Sequence, residues 1–178
     1  VPGVEWKVKN EILSTFCHHI KSKELKRRSM NKESFDQLLK SQMPIAWIAG
    51  VRYESCNQEM AKTSVVLDLL NQNPFGSMFW AIEGMAAEFA GGMMLISKIM
   101  FSGKSISSLV VKTESTFSKK ALGKIVFSCD QGKMIDARIQ TAIETGEPTE
   151  IELTSIATDE EGDEVARFVF TWSIRLRS

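Results

Sequence analysis

Apolar residues recur at helical spacing in the first part of the chain and at strand spacing in the last part. Ile12, Phe16 and Ile20 repeat every four residues with Leu13 and Cys17 beside them, which predicts an amphipathic helix over Glu11–Lys26. Its basic end, Lys21 to Arg28, suits a helix C-terminus. His18 and His19 are adjacent on this helix and point in different directions, so they read as edge residues rather than metal ligands. A second helix is predicted from Ser34 to Gln42. Ser34 and Gln37 form its capping box, Phe35, Leu38 and Leu39 its buried face, and Pro44 its stop. The runs Ile45–Glu54 and Ala61–Leu70 are rich in β-branched and aromatic residues and predict a hairpin across the polar Ser55–Gln58. Asn71–Ser77 (NQNPFGS) is a turn cluster.

Ser77–Ile99 is long, apolar nearly all round and free of proline, so it predicts a helix buried on most faces. Its length would suffice for a membrane span, but Glu83, Glu88 and three glycines are costly or weak there. Ser107–Phe117 and Leu122–Asp130 are strand-type runs around Ser118–Ala121. Gly132–Thr145 has helical spacing at Met134, Ile135, Ile139 and Ile143 and ends at Gly146 and Pro148. Glu150–Ala157 alternates, with Ile151, Leu153 and Ser155 on one face. Asp159–Asp163 reads as a hairpin turn before a last strand, Val165–Leu176, with Phe168, Phe170, Trp172 and Ile174 on one face. An antiparallel sheet wrapped around one long central helix accounts for this order. The expectation is an α+β protein with a helical extension, residues 1–43, packing on a domain of residues 44–178.

Composition narrows the class. The 178 residues are 43% hydrophobic and 25% charged, as in an ordinary globular domain. Twenty-two basic and twenty-two acidic side chains cancel, so no global field steers the chain to nucleic acid or anionic lipid. Bases prevail from Lys7 to Lys62 and acids from Asp130 onward, the ordinary reading being solvated surfaces and the sharper one a basic face toward an acidic ligand. Cys17, Cys56 and Cys129 form no CxxC pair and fit a reducing, cytoplasmic setting. The opening VPGVEWKVKN has no apolar signal segment, although a leader removed before Val1 stays open.

Several chemistries are disfavoured. The chain has no G-x-S-x-G elbow, no P-loop and no histidine after His19, so no Ser-His-Asp triad fits its core. No credible metal-ligand cluster and no basic-aromatic interleaving are present, so neither metal, cofactor nor nucleic acid is expected. What remains is the apolar helix. Gly84, Glu88, Gly91 and Gly92 share one of its faces, so Glu88 sits in a stripe without side chains where a ligand or partner backbone can approach. A desolvated carboxylate there takes a raised pKa, which suits a general base; the structural alternative is a polar contact in a dimer interface. Asn73 and Gly76–Phe79 precede the helix N-terminus, where unsatisfied N–H groups can stabilise an oxyanion, unless this is an ordinary turn. Glu83 lies well around the helix from Glu88, so the two form no acid/base pair.

The segment from Asn73 to Glu88, NPFGSMFWAIEGMAAE, resembles the hotdog-fold thioesterase superfamily, above all its phenylacetate-pathway (PaaI-like) branch and a thioesterase-like family of unknown function. The resemblance covers roughly residues 45–177 and extends to the closing strand Arg167–Arg175. That branch carries an Asn, a Gly three residues on, a His-Gly-Gly, and a carboxylate one helical stretch later. Asn73, Gly76 and Glu88 match by spacing, while Phe79, Trp80 and Ala81 stand where the branch has His-Gly-Gly. The resemblance implies a hotdog fold and thioester hydrolysis. Glu88 would activate water and a backbone N–H near Phe79 and Trp80 would hold the oxyanion. Asn73 would orient water or thioester, and Gly76 and Gly84 would adjoin the substrate. It implies coenzyme A or acyl carrier protein as the carrier, and a homodimer or a dimer of dimers with the site at the interface. Phe89, Met85, Met93 and Met94 would line an acyl pocket, or simply the core. The second function class is a non-catalytic hotdog protein that binds an acyl ligand or serves as an assembly module.

Overall fold

Hydrogen-bonded strand pairing sets the frame. A computed structural model describes residues 29–177. The elements in chain order are α1 (Lys32–Gln42), α2 (Pro44–Ile48), β1 (Arg52–Cys56), β2 (Ala61–Val66), α3 (Trp80–Ser102), β3 (Ile106–Phe117), β4 (Lys124–Cys129), α4 (Gly132–Thr145), β5 (Thr149–Thr158) and β6 (Glu164–Leu176). The strands form one six-stranded sheet in the order β1-β2-β4-β5-β6-β3, with every neighbouring pair antiparallel. The predicted helix over Glu11–Lys26, with His18 and His19, lies outside the described residues.

The β1–β2 hairpin forms as expected, and so does the β5–β6 hairpin through Asp159–Asp163. In that turn Asp159, Glu161 and Asp163 converge on Lys119 Nζ at 2.6, 3.3 and 2.8 Å. The acidic run is therefore an exposed turn gathered round a lysine. β3 and β4 follow one another in the chain but stand apart in the sheet, because β3 crosses to the far edge to pair with β6.

Three local expectations are corrected. Asn31, not Ser34, caps α1: its side chain accepts from the Ser34 N–H at 2.9 Å, and the helix begins at Lys32. Met43 closes α1, and Pro44 opens α2 at its first helical position, where a missing N–H costs nothing. The run Ile45–Glu54 is thus half helix, and its strand starts only at Arg52. Tertiary packing decides this: the Trp47 ring carries Arg52 at 3.9 Å and Lys40 at 4.3 Å from its centroid.

The central helix is buried as its composition requires. α3 packs on β2, β4, β5 and β6, and Phe35 of α1 meets its Phe89 edge-on at 5.7 Å. Phe89, Met93, Met94 and Leu95 are core residues. The alternation along the last strands is realised, with Ile151, Leu153 and Ser155 of β5 and Phe168, Phe170, Trp172 and Ile174 of β6 all buried. Length and composition would let α3 cross a membrane, but most of it lies inside the fold.

Two glycines test this packing in opposite directions. A Cβ on Gly132 would collide with the Gln58 carbonyl oxygen, whereas one on Gly84 would stand an ordinary 3.6 Å from Phe168. Gly132→Ala should therefore cost at least ~2 kcal/mol, as overpacking against backbone does. Gly84→Ala should gain ~0.5–1 kcal/mol from helix propensity. Urea unfolding midpoints of the two variants check the contrast.

Candidate functional site

The loop before α3 is shaped by one amide. Asn73 Oδ1 accepts from Phe75 N–H at 2.9 Å and Ser77 N–H at 3.3 Å, while its Nδ2 donates to Ser77 Oγ at 3.0 Å and Met78 O at 3.1 Å. This is an Asx turn extended into a small network. Gly76 takes φ +79° within it, a conformation an L side chain resists. Asn73 is thereby committed to the loop and acts as its organiser; in the described chain it has no donor left for a water.

The loop delivers the chain into α3 with an open N-terminus. Phe79 N–H donates to Asn71 O at 2.8 Å, and Asn71 is itself fixed by donating to Ala49 O and Val66 O. Phe79 occupies the N-cap position and offers no capping side chain. The next N–H groups, of Trp80 and Ala81, have no hydrogen-bond acceptor among the described residues. Two N–H groups without an acceptor and the positive end of a 23-residue helix therefore coincide here. Of the two residues where sequence placed an oxyanion donor, Phe79 has spent its N–H and Trp80 has kept its own. Trp80 is 58% exposed, and its ring packs edge-on with Phe79, the centroids 5.8 Å apart.

Glu88 and Glu83 stand on different sides of α3. Glu88 is half-buried, and burial pushes its carboxyl above the ordinary 4.5. Glu83, in the first turn, is more deeply buried at 5% exposure and has no partner among the described residues. Burial pushes its carboxyl up to about 7. Glu83 stands well around the helix from Glu88, and no local pattern in the sequence signals its burial, which is set by the fold packed around the helix. The glycine stripe around Glu88 is filled from the sheet: a Cβ on Gly91 would meet Leu153 at 3.1 Å, and one on Gly92 would meet Trp172 at 3.9 Å. The stripe thus brings helix and sheet close. Met93, Met94 and Phe89 are core rather than an open acyl wall, while Met85 is half-buried at the margin.

Exposed apolar surface surrounds the open helix end. Leu69 is 92% exposed, Phe75 80% and Leu70 76%, with Phe79, Trp80 and Leu122 nearby in the chain or the loop contacts. β3 is a 12-residue edge strand paired on one side only within the described chain, and Leu109, Val111 and Phe117 are exposed on it. Long edges of this kind are open to pairing with another strand.

This architecture, six antiparallel strands around one long buried helix with an uncapped N-terminus, is the hotdog fold. The same fold is found in solved structures of bacterial proteins. A Pseudomonas aeruginosa protein of unknown function, described as "Probable Thioesterase", matches with a TM-score of 0.70 and 22% identity, covering 84% of this chain and 98% of its own. A Haemophilus influenzae thioesterase matches with a TM-score of 0.62 and 12% identity, covering 83% and 92%. The E. coli PaaI protein of the phenylacetic acid degradation operon matches at 0.57 and 11%, covering 80% and 90%. No family model and no curated protein matches the sequence.

The buried Glu83 gives a stability test. Its folded pKa is raised from 4.5 to about 7, so the fold prefers the protonated form. That preference is fully present below pH ~4.5 and is lost as pH rises to about 7, since the unfolded chain releases the proton earlier. Glu83→Gln should flatten this window and raise stability at pH 8 by on the order of 1–2 kcal/mol, with little change at pH 4. Thermal unfolding of both proteins across pH 4–8 reads the difference.

Proposed function

We propose that this protein hydrolyses an acyl thioester, with coenzyme A or an acyl carrier protein as the carrier. The observation that carries the reading is the free Trp80 N–H at the N-terminus of α3, at the position where the branch it resembles has the first glycine of its His-Gly-Gly. A thioester carbonyl accepting from this donor gains charge as water adds to it, and the helix end stabilises that charge. Tryptophan in place of glycine leaves the donor intact, since the backbone N–H is the same in both residues and no described residue accepts from it. Gly76 and Asn73 hold the loop that presents the donor, and Phe79 and Gly84 flank the approach. Glu88, with its raised pKa, takes the proton from the attacking water. Unpaired Cys56 and Cys129 support a reducing, cytoplasmic setting for this activity.

The site needs two chains in this reading. Glu88 lies eight residues beyond Trp80, ~12 Å along one helix. A water held by that carboxylate cannot also attack a carbonyl bound at Trp80 of the same chain, because reacting atoms must approach to ~3 Å. Glu88 of a second copy meets the requirement. The free edge of β3 and the apolar surface at the α3 N-terminus support a homodimer that places it there. Sedimentation at micromolar concentration should show a species of twice the monomer mass, and a monomer would count against the shared site.

Two substitutions test the chemistry on a panel of acyl-CoA substrates. Glu88→Gln should lower kcat by ~10²–10⁴-fold. The acid limb of kcat/KM in the unsubstituted protein should lie above pH 4.5, since Glu88 must be ionised to act. Trp80→Pro removes the N–H at a position where proline is well tolerated, because Phe79 before it is extended at ψ 127°. It should keep the melting temperature and lower kcat by ~10²-fold or more. Mixing the two inactive variants should restore about a quarter of the activity through mixed dimers that hold one intact site. No thioester hydrolysis by the unsubstituted protein, with acyl ligands still bound, would establish the binding-protein alternative instead.

A further inference from the structure

A second opening lies at the other end of the central helix. A cleft of about 670 Å³ runs between the last turns of α3 and α4, and Lys98, Phe101, Lys104, Asp136, Ile139 and Ile143 line it. Lys98 is ten residues beyond Glu88, ~15 Å further along the helix. The cleft is therefore separate from the proposed thioester site and does not depend on that reading.

Lys98 is the unusual residue. Its side chain is 5% exposed, buried to an extent lysines seldom accept. Nζ donates to Asp136 Oδ2 at 2.6 Å, and this is its one partner among the described residues. An ammonium has three donors and desolvation makes unused ones costly, so the pair leaves Lys98 incompletely satisfied. Asp136 does not enclose it: its own side chain is 59% exposed at the rim. Lys104 adds a second cation to the lining, so the cleft holds two positive side chains against one negative. Phe101, Ile139 and Ile143 supply an apolar wall beside the ammonium. The volume is that of sites which take small organic molecules.

We propose that this cleft binds a small organic monocarboxylate with an apolar body. The carboxylate accepts from a spare Lys98 N–H beside Asp136, and the body lies against Phe101 and Ile143. One surplus positive charge suits a monoanion, and Asp136 repels a dianion such as phosphate. Hexanoate and benzoate are suitable probes of the full chain, by calorimetric titration and by amide chemical shifts. Saturable binding at ~0.1–1 mM is expected, with shifts centred on Phe101, Ala137 and Ile143 rather than on Trp80. Lys98→Met keeps the packing volume and should weaken binding at least tenfold. Asp136→Asn removes the internal competitor for Lys98 and should tighten binding by up to about fivefold. A purely structural ion pair would make Asp136→Asn lower stability without tightening anything. The proposal is overturned by the absence of saturable binding, by shifts confined to Trp80, by inorganic phosphate binding as tightly as hexanoate, or by Lys98→Met binding hexanoate unchanged. Should Lys98→Met fail to fold, Asp136→Asn decides alone: tighter binding supports the site, and equal or weaker binding refutes it.

Discussion

The closeness with which α3 lies on the concave face of the sheet is the constraint on which the rest of the structure depends. Gly84, Gly91 and Gly92 present no side chains, so Phe168, Leu153 and Trp172 of the sheet reach the helix directly. At Gly91 a side chain would press on Leu153 at 3.1 Å and lift the helix, and the buried faces of β5 and β6 would lose cover. Each fully buried Leu, Ile or Phe contributes about 1.5–3 kcal/mol, so the contact between this helix and these strands dominates stability. Along the same helix Glu83 and Lys98 are buried as well, Lys98 beside Asp136 of α4.

A helix held inside a sheet must still begin somewhere, and its first N–H groups need acceptors. Here the loop from Asn71 to Phe79 takes up its own donors through Asn71 and Asn73 and stops short of capping the helix. The two N–H groups left over sit among exposed aromatic side chains at the surface. A stable core and an uncapped end are thus consequences of one element. Rigid burial of the body of α3 fixes where its N-terminus points, which is what the proposed stabilisation of developing charge demands.

Much of the fold was legible in the sequence because side-chain periodicity is a local property. The alternation of Ile151, Leu153 and Ser155, the stripe of Phe168, Phe170, Trp172 and Ile174, and the all-round apolar α3 each identify an element and its buried face. Ile45–Glu54 misled because β-branched and aromatic residues serve a short helix as well as a strand. Pro44 reads both as a stop and as a first helical residue. Of the candidate site, Asn73, Gly76 and Glu88 were visible from their spacing. The free donor at Trp80 was visible only as a region, since which N–H stays unpaired depends on where Asn71 lies.

The sequence by itself determined the elements, their inward faces, the presence of one central buried helix and the set of polar residues upon it. Tertiary structure alone decided that β3 leaves β4 for the far edge, since a strand's own residues do not encode its neighbour. It decided that Gly91 serves the sheet, because the volume it leaves is claimed by Leu153. It decided also that Glu83 is more deeply buried than Glu88, and that Lys98 is nearly enclosed with one carboxylate beside it. Burial of a polar side chain is set by what packs over it from distant parts of the chain, and no local pattern of residues carries that information.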